Sequence, residues 1–159
     1  MIDKLGFLFR FWELKARHAT LGQPLLPHEQ LELLSLMQLV TSELRVPERG
    51  TCARPADALP AQLIGEGSIL SVEIRYVCAA ALLVASATPM SAGERVIVRA
   101  ADAVSGVELS LPCSVAWSHE GSPAIMALVV DGIPMREDLT IATRSTNVLS
   151  IARPIRLVG

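Results

Sequence analysis

The sequence is poor in the residues that build most metal and catalytic centres. Its 159 residues include three cysteines and three histidines. Cys52, Cys78 and Cys113 are odd in number and form no CxxC pair, which speaks against a disulfide framework or a zinc site and favours buried, reduced thiols. The histidines lie far apart, and no Gly-rich phosphate loop, GxSxG elbow or HExxH motif is present. We therefore expect no metal site, no catalytic residues and no enzymatic activity.

The chain also lacks a charge excess and a long apolar run. A net charge of −2 and a pI near 5.9 provide no broad basic surface, so nucleic acid polymers and anionic membranes are not expected partners. No apolar run approaches the roughly 18 residues that a membrane-spanning helix needs. Because Arg10 interrupts the N-terminal apolar run and no small-residue cleavage site follows, no secretory signal is indicated. We expect a cytoplasmic protein.

Aromatic residues are few, and most of them fall in one segment. Phe7, Phe9, Phe11 and Trp12 are four of only six in the chain, and they lie in residues 3–18, whose spacing predicts an amphipathic helix. They form either a core stripe or a docking surface for a partner, since phenylalanines two positions apart cannot all share one narrow helical face. A helix lying on a membrane surface is a third interpretation, because basic residues are interspersed among the aromatic ones.

A second helix is predicted to begin near Pro27, whose fixed φ suits a first turn, and Glu29 favours the positive end of the helix dipole. Its apolar side is broad, because Leu33, Leu36 and Leu39 widen the stripe of Leu31, Leu34, Met37, Val40 and Leu44. One helix–helix contact does not usually hide so much apolar surface. The excess is expected to meet the rest of the chain or another copy of it, and a homodimer is the preferred version.

The pattern of the remaining sequence predicts a series of short strands. Gly65-Glu-Gly67 predicts a hairpin between Leu59–Ile64 and Ile69–Val77. Further strands are predicted at residues 94–100, 107–117 and 124–130. In the second of these, every odd-numbered residue is apolar, and Pro112 argues for an edge position or a bulge.

Such spacing predicts an α+β protein, with a small antiparallel β-barrel preceded by an N-terminal helical hairpin. The expected organisation is a helical hairpin over residues 1–46, a barrel over residues 47–133, and a C-terminal extension over residues 134–159. That extension is expected to pack on the barrel or on a neighbouring chain. Its short apolar pieces are too brief to assign to a helix or a strand.

The region from about residue 49 to residue 133 resembles the PilZ domain, the bacterial receptor family for cyclic di-GMP. The resemblance is carried by an arginine-flanked segment, Arg49-Gly-Thr-Cys-Ala-Arg54, by the alternating strand and small-residue turn that follow, and by the closing strands around Val115-Ala-Trp117. It implies the small barrel, and it implies a setting in motility, surface attachment or virulence control.

The family binds its ligand through an RxxxR segment and a D/N-x-S-x-x-G turn, and this chain departs from both. Arg54 matches the second arginine, whereas Gly50 holds the first position and Arg49 is its neighbour. Tyr76 stands where the family has Asp or Asn, Cys78 where it has Ser, and Ala81 where it has Gly. A second match, Arg45-Val-Pro-Glu-Arg49, lies further from this turn than the family's usual spacing.

These departures weaken the expected nucleotide site for physical reasons. Arginine suits the phosphates and guanines of cyclic di-GMP because its planar fork donates paired hydrogen bonds and stacks on rings. Tyr76 offers only a phenolic hydroxyl, Cys78 is a weak donor and acceptor, and Ala81 restricts the backbone where glycine would not. If a ligand binds at all, Arg49, Arg54, Tyr76 and Cys78 are the expected contacts.

Two functions of different class follow. The first is a regulatory protein without enzymatic activity that acts through protein contacts, with cyclic di-GMP binding weak or lost and with Phe7, Phe9, Phe11, Trp12, Leu33 and Leu36 as its interaction surface. The alternative is a working cyclic di-GMP receptor that uses Arg49 and Arg54. The altered turn favours the first, and the surviving arginines favour the second. A small-barrel enzyme such as a flavin-binding split barrel ranks third, because a fold alone does not establish chemistry.

Overall fold

The computed structural model describes residues 1–20, 22–50 and 57–139. Two helices come first, α1 (Ile2–Ala19) and α2 (Pro27–Leu39), and a short 3₁₀ turn (Thr41–Glu43) follows them. Seven strands complete the described chain: β1 (Leu59–Gly65), β2 (Ser68–Val77), β3 (Leu82–Ser86), β4 (Arg95–Asp102), β5 (Val107–His119), β6 (Ala124–Val130) and β7 (Met135–Asp138).

Both helices begin and end where their sequence favours it. In α1, Asp3 lies in the first turn and Arg17 lies in the last, so both charges complement the helix dipole. Helix α2 begins at Pro27 as predicted. There the Glu29 carboxylate accepts a 2.9 Å hydrogen bond from the backbone N–H of Leu26 and so satisfies a donor at the helix start.

Six antiparallel strands close into a barrel in the order β1-β2-β3-β6-β5-β4, and β4 pairs back onto β1. The predicted hairpin is confirmed, since β1 pairs with β2 along its whole length around the turn at Glu66 and Gly67. Strand β6 is central, between β3 and β5, as its apolar sequence indicates. The α+β class and the small antiparallel barrel preceded by two helices are therefore confirmed.

Two β-bulges change which side chains face outward. One lies between Ile74 and Tyr76 in β2, and the other lies between Val115 and Trp117 in β5. Each adds one residue to its strand, so the alternation of faces shifts beyond it. The uninterrupted alternation predicted through Trp117 is therefore wrong at its end, because Trp117 leaves the barrel interior that Val115 occupies.

Pro112 lies where its missing N–H disturbs no ladder. It is opposite Ile97 of β4, and on the other edge of β5 it falls between the segment paired with β7 and the segment paired with β6. Its carbonyl there accepts a 2.9 Å hydrogen bond from the N–H of Asp131. The position is locally an edge, as proline requires.

The C-terminal extension begins as a strand on the barrel, since β7 pairs antiparallel with residues 107–110 of β5. The short apolar piece at 148–152, and all but the first residue of that at 139–142, lie outside the described residues. Within the described chain, no helix combines the length and apolar character needed to cross a membrane.

One apolar core joins the helices to the barrel interior. Leu5, Leu8 and Trp12 of α1 belong to the same buried cluster as Ile74 and Leu111 of the barrel. The helical pair is therefore packed on the barrel through apolar side chains, and α1 contributes most of the helical part.

Candidate functional site

The turn between β2 and β3 coincides with the segment in which the sequence predicts a degenerate ligand signature. Cys78 and Ala81 exchange backbone hydrogen bonds of 2.9 and 3.3 Å, which closes a tight turn. Cys78, Ala79 and Ala81 are all buried. A turn of small side chains that is buried in this way presents backbone groups rather than side chains to whatever covers it.

Helix α1 and the segment after α2 cover this turn. The indole N–H of Trp12 donates a 2.8 Å hydrogen bond to the carbonyl of Ala79. The N–H of Ala80 donates to the carbonyl of Glu43 at 3.0 Å, and the Cys78 thiol lies 3.9 Å from the carbonyl of Arg45. The Ala79 carbonyl, the Ala80 N–H and the Cys78 thiol thus have their partners within the chain.

An apolar row runs across the outer face of the barrel beside this turn. In register, Tyr76 lies opposite Leu83, Leu83 opposite Ala127, and Ala127 opposite Trp117. Leu83 and Ala127 have no exposed surface, and the Trp117 indole N–H donates a 2.8 Å hydrogen bond to the carbonyl of Pro47. The segment after the helices therefore packs over part of this row.

Tyr76 is the more open end of the row. The ammonium of Lys4 lies 5.7 Å from the centre of the Tyr76 ring, within the range of a cation–π contact. The same ammonium is 3.0 Å from the Glu43 carboxylate. Helix α1 thus contacts the barrel beside the turn as well as on it.

The predicted arginine contacts are only partly placed. Arg49 is exposed in a turn beside Gly50, whose φ of +92° requires the left-handed conformation that glycine adopts readily. Arg54 and Cys52 lie outside the described residues. Of the four expected ligand contacts, the structure therefore places Arg49, Tyr76 and Cys78, and Cys78 is buried under the segment after the helices.

The interaction surface predicted on the first helix is largely interior. Phe9, Phe11, Trp12 and Leu33 are buried and Leu36 is half-buried, whereas Phe7 is 41% exposed. The expectation that all six face a partner is therefore corrected, because most of them form the packing between α1, α2 and the barrel. The large exposed apolar residues lie instead mainly on and around α2: Leu26, Leu31, Leu34, Met37, Leu39, Leu44 and Val46.

One flank of the α1/α2 contact is an ion-pair network. Arg10 bonds Glu13 and both carboxylate oxygens of Glu32, and Arg17 bonds Glu29 at 2.7 and 3.0 Å. The Arg17 hydrogen bond, supported by the Leu26 N–H, lowers the pKa of Glu29 to about 2. The hydrogen bond between Glu32 and Arg10 likewise lowers the pKa of Glu32. These acids stay ionised well below neutral pH.

The other flank is an apolar groove of about 630 Å³. Side chains of α1 and α2 form its walls, and Leu25, before α2, and Leu44, after the 3₁₀ turn, also line it. Of the described residues that line it, Lys15 is the only lysine or arginine and none is acidic, and His18 also lines it. We call this feature the α1/α2 groove.

The described residues hold no cluster of three or more His, Cys, Asp or Glu side chains that is arranged to bind a metal ion. Burial raises the pKa of the Cys113 thiol, with a smaller contribution from the nearby Asp131 charge. Such a thiol stays protonated and is a poor nucleophile. Cys113 lines the barrel interior as a small apolar side chain.

Sequence reasoning missed the partners of the turn and the groove. The bonds from Trp12 to Ala79 and from Ala80 to Glu43 join residues that are distant in sequence, and no local pattern marks them. The broad apolar side of α2 is the one available signal, but it does not distinguish covered from open surfaces.

No protein-family model matches the chain, and a search of curated proteins finds no match for its sequence. The fold and the site define a small antiparallel barrel whose β2–β3 turn is covered by helix α1 and by the segment after α2.

Proposed function

We propose that this protein is a PilZ-like regulator without enzymatic activity that acts through protein contacts, and that cyclic di-GMP binding is weak or lost. The observation that carries the proposal is the covered turn. Trp12, Glu43 and Arg45 use the polar groups of Cys78, Ala79 and Ala80.

A ligand that bound this turn would have to replace those internal contacts. It would lose the 2.8 Å bond between the Trp12 indole and Ala79 and would expose a side chain of the common core. A buried carbonyl left without a partner costs about 1–3 kcal/mol, and this cost would be subtracted from any binding energy. The altered residues at Tyr76, Cys78 and Ala81 offer little to offset it.

The exposed face of α2 supplies the surface for protein contacts. Leu31 and Leu39 are 67% and 70% exposed and lie on one ridge with Ser35, at a spacing of four residues. We call Leu31, Ser35 and Leu39 the α2 ridge. It carries no charge, so two copies related by a twofold axis would meet there without like-charge repulsion. A second copy of the chain is therefore the partner that we propose first.

Calorimetric titration with cyclic di-GMP tests the nucleotide part. We expect no binding tighter than about 10 μM, which corresponds to roughly −7 kcal/mol. A submicromolar affinity that disappears in Arg49→Ala or Arg54→Ala, and persists in the exposed control Arg99→Ala, would instead support the working receptor.

Sedimentation at several micromolar concentrations tests the protein part. We expect the wild-type chain to sediment as a dimer and Leu31→Glu to sediment as a folded monomer, because a buried unpaired carboxylate is costly. Val104→Glu is the matched control, since Val104 is exposed in a loop remote in sequence from α2. A monomeric wild-type chain throughout would contradict the dimer.

A further inference from the structure

We propose that the α1/α2 groove is a binding site for a single-chain aliphatic carboxylate, such as a free fatty acid. The site is separate from the covered turn and from the α2 ridge. Its walls include Phe11 and Lys15 of α1 and Leu33, Leu34 and Met37 of α2. The proposal does not depend on whether the chain binds cyclic di-GMP or forms a dimer.

The volume and the lining of the groove suit one aliphatic chain. Its volume of about 630 Å³ lies within the roughly 300–1,000 Å³ of small-molecule sites, which often lie between helices. Leu25 precedes α2 and Leu44 follows it, so these two residues bound the groove along the helix. The distance spanned by the 13 residues of α2 is about 20 Å at 1.5 Å per residue. An apolar groove of this volume between two helices is large enough for one alkyl chain.

The charges around the groove favour a ligand with an anionic head group. None of the described residues that line it is acidic, and Lys15 provides a cation in its lining. Three of the four acids of the helical pair, Glu13, Glu29 and Glu32, are engaged by Arg10 and Arg17 on the other flank, and the fourth, Asp3, does not line the groove. The Lys15 ammonium lies 5.7 Å from the centre of the Phe11 ring and makes no ion pair within the described chain. A carboxylate would give this cation an anionic partner at the end of an apolar site.

A second copy of the chain fits the groove less well. The α2 ridge that it would present has leucine and serine side chains and no acid, so Lys15 would be covered without an anion. Covering a cation without a partner is costly. The chemistry of the groove therefore favours an anionic amphiphile over self-association at this place.

Calorimetric titration of the full chain with dodecanoate, below its micelle concentration, tests the proposal. We expect saturable binding of one molecule per chain with a dissociation constant on the order of 10 μM. Dodecanol should bind at least fivefold more weakly and dodecyltrimethylammonium more weakly still, because neither offers Lys15 an anion. Lys15→Gln should remove the difference between dodecanoate and dodecanol.

Three variants separate the α1/α2 groove from the α2 ridge. Leu34 and Met37 are 59% and 44% exposed, so Leu34→Glu and Met37→Glu place an acid in the groove wall without emptying the core. Each should weaken dodecanoate binding at least tenfold. Leu39→Glu adds the same charge to the same helix outside the groove lining and should leave binding unchanged. Circular dichroism of each variant verifies that it is folded.

Three results would overturn the proposal. The first is the absence of saturable dodecanoate binding by the wild-type chain. The second is a folded Leu34→Glu variant that binds dodecanoate as tightly as the wild type, which would place the ligand elsewhere. The third is a wild-type dimer that is dissociated by the substitution Leu34→Glu, in a folded variant, and not by Leu39→Glu. Binding only to phosphatidylglycerol vesicles, with none to monomeric dodecanoate, would likewise identify a membrane surface as the occupant and reject the free carboxylate.

Discussion

Trp12 joins the two parts of the protein through one polar atom. Its ring is buried in the common core, while its indole nitrogen donates to the carbonyl of Ala79, 67 residues further along the chain. A buried indole N–H or carbonyl without a partner is costly, so the ring and the turn are stable only when they are positioned together. Trp12 therefore sets the position of α1 on the barrel.

Trp12→Phe should test this role, because it keeps an aromatic ring and removes the donor. We expect a loss of about 1–3 kcal/mol in the free energy of unfolding, since the Ala79 carbonyl stays buried without this partner. Urea denaturation provides the measurement. The exposed Phe7→Leu is the control and should change stability by no more than about 0.5 kcal/mol. Equal effects of the two substitutions would contradict the assignment.

Glu29 should make the helical pair sensitive to acid. Its folded pKa of about 2 lies below the ordinary value of 4.5 because Arg17 and the Leu26 N–H stabilise the carboxylate. A lowered folded pKa contributes stability that is present above pH 4.5 and is lost as the pH falls toward 2. Melting temperatures of wild type and Glu29→Gln should therefore differ most above pH 5 and converge below pH 3. A constant difference across this range would exclude the ionised carboxylate as the cause.

At the scale of the elements, two single-residue bulges determine which side chains lie on the outer face of the barrel. The bulge in β2 places the Tyr76 side chain on the outer face, and the bulge in β5 does the same for Trp117. Without them, both rings would follow the inward alternation of their strands. The outer apolar row and its contact with Pro47 therefore depend on irregularities rather than on regular strand geometry.

Substitutions of two glycines should change the stability of the protein in opposite directions. Gly67 forms the hairpin turn with φ +75°, and Gly6 lies in α1 with open space where a Cβ would be. Gly67→Ala should destabilise the protein by about 1–2 kcal/mol because an L-residue is strained in the left-handed region. Gly6→Ala should stabilise it by about 0.5–1 kcal/mol because alanine restricts the unfolded chain and favours the helix. Thermal unfolding measures both, and shifts of the same sign would contradict the argument.

The sequence predicts the elements whose periodicity is regular, and it does not predict how they meet. Alternation and glycine turns indicate β1 and β2, and Pro27 marks the start of α2, because these signals are local. β7 has no such signal, since its sequence Met135-Arg-Glu-Asp138 is mostly charged and it pairs only at one end of β5. The covering of the Cys78–Ala81 turn depends on contacts between distant residues, so its small side chains predict burial without revealing what buries them.

At the scale of the whole molecule, the helical pair and the barrel share one apolar core, so they should unfold together. The two tryptophans report on different parts, because Trp12 is on α1 and Trp117 is on the outer face of β5.

The variants Trp12→Phe and Trp117→Phe each retain one tryptophan. For each variant, we expect urea unfolding followed by fluorescence to have the same midpoint as urea unfolding followed by far-ultraviolet circular dichroism. A separate earlier transition seen only by Trp12 would show that the helices detach from a folded barrel, and the shared core would then not couple them.

The closed order of the strands also bears on aggregation. An exposed sheet edge can recruit a strand from a neighbouring molecule, and natural proteins block this with closure, short strands and charge. Six strands of this barrel have no open edge of their own along the ring. β7, attached outside the ring, has only four residues, all exposed, and three of them are charged. Growth of intermolecular sheets is therefore disfavoured along the closed ring and at β7.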